Sequence, residues 1–254
     1  MTEEPYAEWA ETMWALRKEL QQAAEDRSLE GVDLSSADGT HFPTRPSGGE
    51  PVAFFERLVA ERERDLGPEH PDTLLARNNL AGAFQQQGRL DRAVPLFERN
   101  LADSERVLGP DHPDTLACLN NLAGGYEAAG DPARAVPPYS RALAGRERVL
   151  GTEDIRTLLC RDNLARALEL TGEPARAVPL HERTLTDRER VLGPDHPDTL
   201  LSLSNLAHAQ HRAGNRERST ELFTRALAVG VRTLGPDHPA TQHLRELLSQ
   251  VRGG

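Results

Sequence analysis

A period of 42 residues runs through most of this chain. The letters His-Pro-Asp-Thr begin at residues 70, 112 and 196, and Leu-Gly falls at 66, 108, 150, 192 and 234. A fixed period in this range means that one supersecondary unit is repeated head to tail and packs on its neighbours. The repeat therefore predicts a solenoid. It also favours a binding function, because stacked units build long surfaces more readily than closed catalytic pockets.

Residues 70–109 show the repeated unit most clearly. Apolar and small side chains after Pro71 predict one amphipathic helix that ends near Gly88, and a second helix fits residues 91–108. Helices of about 16 and 18 residues would be rods about 24 and 27 Å long. We predict an all-α solenoid of antiparallel helix pairs over 51–254, with four full repeats at 68–235 flanked by half repeats. This gives ten helical segments.

Three columns of the repeat are the same residue in all four copies. They are Asn79, Asn121, Asn163 and Asn205, then Leu80, Leu122, Leu164 and Leu206, then Ala81, Ala123, Ala165 and Ala207. Recurring Leu-Ala pairs are expected where two helices approach closely. The asparagines have two interpretations, as structural hydrogen bonds between turns or as a row of side chains that clamp a peptide.

The sequence around each helix pair resembles the tetratricopeptide repeat. The match comprises Arg77-x2-Leu80-Ala81-x2-Phe84 followed by Ala93-x3-Phe97, and the copy that begins at Leu119 fits better still. The 42-residue version, with Leu-Gly-Pro-Asp-His-Pro-Asp-Thr between units, is similar to the kinesin light chain branch of the family and its bacterial relatives. The resemblance covers residues 51–251. Later copies depart from it at four core positions, Leu168, His181, Gln210 and Ser219.

The resemblance implies that the first helix of each pair lines a concave groove, whose outward columns contact a ligand. Carried onto this chain, the groove residues are Leu75, Asn78, Gln85, Gln86, Asn120, Glu127, Ala128, Leu159, Asp162, Arg166, Glu169, Ser204, His208, His211 and Arg212. We expect a scaffold that binds an extended or helical segment of a partner protein. The groove residues predict acidic character in that segment toward its His208 end.

Charge and motifs exclude several other classes. The formal net charge of -10 argues against nucleic-acid and anionic-membrane partners. Lys18 is the only lysine, so the chain holds no Walker-type phosphate loop. No nucleophile or dinucleotide motif is present. We predict no enzymatic activity, no catalytic residue and no cofactor.

Two histidine clusters and a pair of cysteines have structural interpretations. The Asp-His-Pro-Asp segments at 111–114 and 195–198 are interpreted as helix starts, with Pro in the first turn and Asp at the positive end of the helix dipole. His208 and His211, with His243 and Glu246 on a later helix, are interpreted as a polar patch rather than a zinc site. Cys118 and Cys160 stand where other copies have Ala76 and Ser202, which predicts small buried residues rather than a disulfide.

The two ends of the repeat array differ in character. Residues 1–27 predict an amphipathic helix with Trp9 and Leu16 on its apolar seam, which either caps the array or forms a homodimer contact. Residues 28–50 predict a linker, either a tether or an autoinhibitory segment. Gln242, Arg245, Glu246 and Gln250 suit the last helix to a polar cap.

The acidic N-terminus and the lack of a long apolar run predict a cytoplasmic protein.

Two further function classes stay open at this point. Bacterial relatives carry such arrays fused to nucleotide-binding domains, which implies a regulatory accessory protein of a signalling ATPase that acts in trans. An enzyme with a pocket on the concave face is the remaining alternative.

Overall fold

The computed structural model describes residues 51–253, and these residues form ten helices with no strand. The helices are α1 Pro51–Leu66, α2 Pro71–Gln86, α3 Leu90–Val107, α4 Pro113–Ala128, α5 Pro132–Val149, α6 Ile155–Leu170, α7 Pro174–Val191, α8 Pro197–Arg212, α9 Arg216–Thr233 and α10 Pro239–Gly253. The even-numbered members are the first helices of the predicted pairs. The predicted all-α architecture is confirmed. The predicted helix at 1–27, the linker at 28–50 and the homodimer contact lie outside the described residues.

The helices belong to two compact units, residues 51–171 and residues 172–253 of the described chain. In the N-terminal unit, each helix from α1 to α5 packs on the next, and α2 also contacts α4. In the C-terminal unit, α7 packs on α8, α8 on α9, and α9 on α10. Contacts between neighbours in sequence are what a stacked repeat requires, since each copy buries its apolar face against the adjoining one.

The glycines that follow the helices recur with a period shorter than the 42 residues of the full repeat. Nine glycines with positive φ recur every 21 residues from Gly67 to Gly235, so one follows each helix from α1 to α9. At Gly67, for example, φ is 92°, a conformation that side-chain-bearing residues rarely adopt. The Leu-Gly letters mark alternate members of this series. The helix pair is therefore two similar half-repeats of the same length.

The invariant Leu and Ala columns form the cores of both units. Ala81, Ala123, Ala165 and Ala207 are fully buried, and the four leucines beside them are at most 8% exposed. The interpretation of the cysteines is also confirmed, because Cys118 and Cys160 are buried free thiols. Burial raises the pKa of each thiol to about 11, which leaves little reactive thiolate at neutral pH.

The departures from the family pattern remain inside the core. His181 and Leu168 are buried where other copies place aromatic rings. Ser219, which replaces an alanine, is buried and donates a hydrogen bond from its hydroxyl to Ala207 O at 2.7 Å. Gln210 is buried and donates from Nε2 to Glu182 Oε1 at 3.5 Å. Leu168 belongs to the N-terminal unit and the other three positions to the C-terminal unit, and all four are buried rather than part of a surface.

The last described helix shows the expected polar character. Leu244, Leu247 and Val251 are buried against the rest of the C-terminal unit. Arg245, Glu246 and Gln250 are exposed, and Gln242 is half-buried. Arg216 on α9 donates to Val251 O and Arg252 O, which satisfies carbonyls at the end of α10 that have no partner within the helix.

Candidate functional site

Side-chain contacts show that α2, α4 and α6 are neighbours on one surface of the N-terminal unit. Gln85 on α2 donates from Nε2 to Gly124 O on α4 at 3.4 Å. Asn163 on α6 donates from Nδ2 to Asn120 Oδ1 on α4 at 3.3 Å. We name this surface the α2–α4–α6 face. Its polar residues are Asn78, Gln85, Asn120, Asn121, Glu127, Asp162, Asn163, Arg166 and Glu169.

The asparagines of this face are paired in one repeat and unpaired in the preceding one. Asn121 and Asn78 stand 42 residues before Asn163 and Asn120, so they are the corresponding donor and acceptor. Within the described structure, however, Asn78 Oδ1 and Asn121 Nδ2 are buried without a hydrogen-bond partner. A buried polar atom left unpaired costs about 1–3 kcal/mol. The structural interpretation of the asparagine column therefore holds for Asn163 but does not account for Asn121 Nδ2, nor for Asn78 Oδ1 in the neighbouring column.

Glu127 is the centre of a polar cluster on α4. Its Oε2 accepts from Arg166 Nη2 at 2.7 Å and from the hydroxyl of Tyr139 at 3.1 Å. Tyr139 lies beneath the face on α5, and burial, together with the negative charge of Glu127, raises the pKa of its hydroxyl. Tyr139 therefore stays protonated and donates to the carboxylate. No pattern in the sequence marked Tyr139 as part of the groove, because its hydroxyl reaches Glu127 from the neighbouring helix α5.

The remaining predicted groove residues of the N-terminal unit vary in exposure. Asp162 and Glu169 on α6 are 5% and 6% exposed. Leu75 and Leu159 are half-buried, and Gln86 and Ala128 are exposed at the ends of α2 and α4. The face thus changes from uncharged amides on α2 to carboxylates on α4 and α6.

Four predicted groove residues belong to α8 in the C-terminal unit. Ser204 is buried and its hydroxyl donates to Leu200 O of the same helix at 3.0 Å. His208 and Arg212 are half-buried, and His211 is exposed. Partial burial and the nearby His208 and Arg216 lower the pKa of His211, so its ring is neutral at physiological pH. A neutral imidazole offers one hydrogen-bond donor and one acceptor.

The described residues show neither a metal-ligand cluster nor a membrane-spanning helix. Across 51–253, no three His, Cys, Asp or Glu side chains converge as metal ligands would. No helix in the described part of the chain is long and apolar enough to cross a membrane. The Asp-His-Pro-Asp segments begin helices, as predicted, with Pro113 and Pro197 in the first turn of α4 and α8.

Paired antiparallel helices with a fixed period, each packed on its sequence neighbours, define this chain as an α-solenoid repeat protein. The tetratricopeptide repeat family matches residues 52–102, 73–148 and 154–230. The chain belongs to the tetratricopeptide repeat family and is of the kinesin light chain-like type. Repeats of this kind form scaffolds for protein–protein interaction.

Similar proteins place the chain near the kinesin light chains. A solved structure of nearly identical TPR-like repeats from a kinesin light chain of Podosopora anserina superposes with a TM-score of 0.67 at 32% identity, over 72% of this chain and 86% of that one. Protein KINESIN LIGHT CHAIN-RELATED 2 of Arabidopsis thaliana is 33% identical over 82 residues, which are 32% of this chain and 12% of the relative. BtubC (BKLC) from P. vanneervenii, at 18% identity and a TM-score of 0.60 over 80% of this chain and 90% of that one, has the same fold. The chain thus spans about an eighth of the Arabidopsis relative.

Proposed function

We propose that the α2–α4–α6 face binds an extended segment of a partner protein. The observation that carries this proposal is that the acceptor Asn78 Oδ1 on α2 and the donor Asn121 Nδ2 on α4 are buried without a hydrogen-bond partner. A peptide main chain offers an N–H and a C=O at each residue, which complement these two amide groups. The terminal torsion of asparagine has a broad energy well, so the amides can turn toward a ligand without displacement of their helices.

Neighbouring groups support the same assignment. Gln85, Asn120 and Asn163 extend the row of amides across three helices, and half-buried Leu75 and Leu159 supply apolar contact at the edge. Peptide recognition commonly combines main-chain hydrogen bonds with side-chain pockets. The face offers amides for the main chain and two half-buried leucines for apolar contact.

Selection from a displayed library of random peptides tests the proposal with the full chain as the target. The decisive variant is Asn121→Leu, because α10 already holds Leu247 at the corresponding position. Loss of one main-chain hydrogen bond, worth about 1 kcal/mol, predicts binding of an enriched peptide about five times weaker.

A matched control is available in the same unit. Asn100 on α3 is also buried, and its Nδ2 donates to Cys118 Sγ. Corresponding positions hold Ala142 and Ala226, so Asn100→Ala should fold and leave peptide binding unchanged. Failure to enrich any peptide, or equal binding by Asn121→Leu and the parent, would contradict the proposed function.

A further inference from the structure

Gly124 on α4 occupies a position where folding does not require glycine. It lies inside the helix without a positive φ, so alanine could adopt the same backbone. A Cβ atom there would lie 3.6 Å from the hydroxyl oxygen of Tyr139 and 3.9 Å from Gln85 Nε2, which are ordinary contact distances. Apart from the neighbouring backbone of α4, no other atom of the described residues lies within 4 Å of that position. Because glycine inside a helix lowers stability relative to alanine, its presence here calls for another reason.

Close packing explains two other glycines inside helices. A Cβ atom at Gly125 would lie 3.2 Å from Phe97 Cδ2, and one at Gly230 would lie 3.1 Å from Leu244 Cδ1. Both distances are shorter than ordinary contacts, so glycine lets these neighbouring side chains approach. The space at Gly124, in contrast, is bordered by polar atoms of Gln85 and Tyr139 on the α2–α4–α6 face.

The column that contains Gly124 also holds glycine on α2, but not on α6. Gly82 stands 42 residues before Gly124, and Arg166 stands 42 residues after it. Arg166 Nη2 lies 2.7 Å from Glu127 Oε2, so the arginine side chain extends from α6 to α4. Only the α2 and α4 parts of the face therefore lack a side chain in this column. We name Gly82 and Gly124 the glycine pair.

A second observation indicates that a ligand approaches the glycine pair. Asn78 precedes Gly82 by four residues and Asn121 precedes Gly124 by three, so each amide lies one helical turn from a glycine on the same side of its helix. Asn78 is 4% exposed and Asn121 is 9% exposed, and their Oδ1 and Nδ2 atoms lack a partner in the described structure. A ligand must bring its own polar atoms to about 3 Å from these buried atoms to bond to them. Glycine permits this approach, because a Cβ would hold the ligand farther from the helix.

The space at Gly124 suits a ligand main chain better than a large side chain. Its nearest borders are a hydroxyl and a carboxamide, and their distances leave room for about one methyl group. A bulky apolar side chain would neither fit there nor find apolar contact. An extended main chain presents an N–H and a C=O at each residue. In a helical ligand those groups are bonded internally, and its side chains keep the backbone away from the surface.

We propose that the main chain of an extended partner segment lies in direct contact with the glycine pair on α2 and α4, an inference that rests on the peptide-binding function proposed above. The segment's main-chain groups then reach Asn78 Oδ1 and Asn121 Nδ2. At α6, where Arg166 replaces glycine, the partner contacts side chains instead. Gly124 is thus a residue that determines which ligand conformation binds.

Gly124→Ala in the full chain tests this contact, because stability and binding should change in opposite directions. We expect the midpoint of thermal unfolding to rise by about 1–4 °C, since alanine favours the helix and its methyl group fits. The peptide most enriched from the displayed library should bind about tenfold more weakly, because the methyl group occupies the place of its main chain. The control is Gly253→Ala at the exposed end of α10, where no atom of the described residues lies within 4 Å of an added Cβ. It should leave peptide binding unchanged.

Alanine substitution along the enriched peptide distinguishes a main-chain contact from a side-chain contact. If the main chain lies at Gly124, no shortened peptide should regain its affinity for Gly124→Ala. Recovery on truncation of one peptide side chain would show that this side chain fills the space, and would overturn the inference.

The remaining outcomes separate this inference from the proposed function. Equal binding by Gly124→Ala and the parent, with weaker binding by Asn121→Leu, would overturn the contact at Gly124 and leave the peptide-binding function standing. A lower unfolding midpoint for Gly124→Ala would show that folding itself requires this glycine, which also contradicts the inference. Failure to enrich any peptide would instead remove the proposed function.

Discussion

Histidine closes the amino-terminal end of several helices through its side chain. The backbone N–H of Asp114 donates to His112 Nδ1 at 3.2 Å, and the same bond occurs at His70, His196 and His238. In the third full repeat Asp154 takes this place and accepts from the N–H of Arg156 at 2.9 Å. Each cap satisfies one of the amide groups that a helix start leaves without a partner.

Substitution at His112 tests the cap. We expect His112→Ala to lower the free energy of unfolding by about 0.5–2 kcal/mol, because the N–H of Asp114 loses its acceptor. His112→Asp should retain or raise stability, since Asp154 shows that a carboxylate fits and its charge suits the helix dipole. Urea denaturation of both variants gives the measurement. Equal destabilisation by alanine and aspartate would refute the capping role.

For single residues, the sequence predicted where this helix begins but not the hydrogen bond that His112 accepts. The sequence predicted Pro113 and Asp114 in the first turn, because both preferences depend on position along the chain alone. The bond to His112 Nδ1 also requires the extended backbone of that residue, with φ -66° and ψ 139°. Likewise, the repeat predicted which asparagines share a face. It could not predict that Asn163 Nδ2 reaches Asn120 while Asn121 Nδ2 has no partner, since that depends on sub-ångström separations between helices.

At the scale of elements, a buried arginine joins the first three helices. Arg77 on α2 is 2% exposed and donates to Glu63 of α1 at 2.9 Å, to Pro68 O of the intervening loop at 3.2 Å, and to Asp103 of α3 at 2.7 Å. The corresponding residues in the C-terminal unit are Leu203 and Val229, which belong to an apolar core. Ion pairs thus stabilise this helix contact in the N-terminal unit, whereas apolar packing stabilises the corresponding contact in the C-terminal unit.

Two variants test whether apolar packing can replace the buried ion pair of Arg77 and Asp103. Asp103→Ala alone should destabilise the protein by about 1–3 kcal/mol, because it removes one partner of a buried charge. Arg77→Leu/Asp103→Val, which copies Leu203 and Val229, should restore most of that loss, since an apolar pair of similar volume replaces a buried ion pair with little net change. Thermal and urea melts check both. A double variant less stable than Asp103→Ala would show that Arg77 holds α1 in a way that packing cannot replace.

Helix positions were far more predictable than these contacts. The helices predicted to be about 16 and 18 residues long are α2 and α3, with 16 and 18 residues. The Leu-Gly letters and the apolar spacing determine these boundaries locally. Arg77, by contrast, gave no sign of burial, because arginine is usually exposed and its partners lie 14 and 26 residues away.

For the whole molecule, the packing order determines how a local defect should spread. Within each unit, helices contact their sequence neighbours, as in a one-dimensional array. Stability in such an array is a sum of repeat and neighbour-interface contributions, and no single core couples all positions. A defect in one repeat should therefore loosen that repeat and the helices packed on it.

Ala123→Val tests this consequence of the repeat. Ala123 on α4 is fully buried, and the added methyl groups should overpack its contact by about 1–3 kcal/mol. We expect faster hydrogen–deuterium exchange in α4 and in the helices that contact it, α2, α3 and α5, with α9 and α10 unchanged. Ala128→Val, at an exposed position of the same helix, should leave exchange as in the parent. Equal acceleration in α9 and α10 would mean that the helices open as one cooperative block, and the nearest-neighbour description of this chain would be wrong.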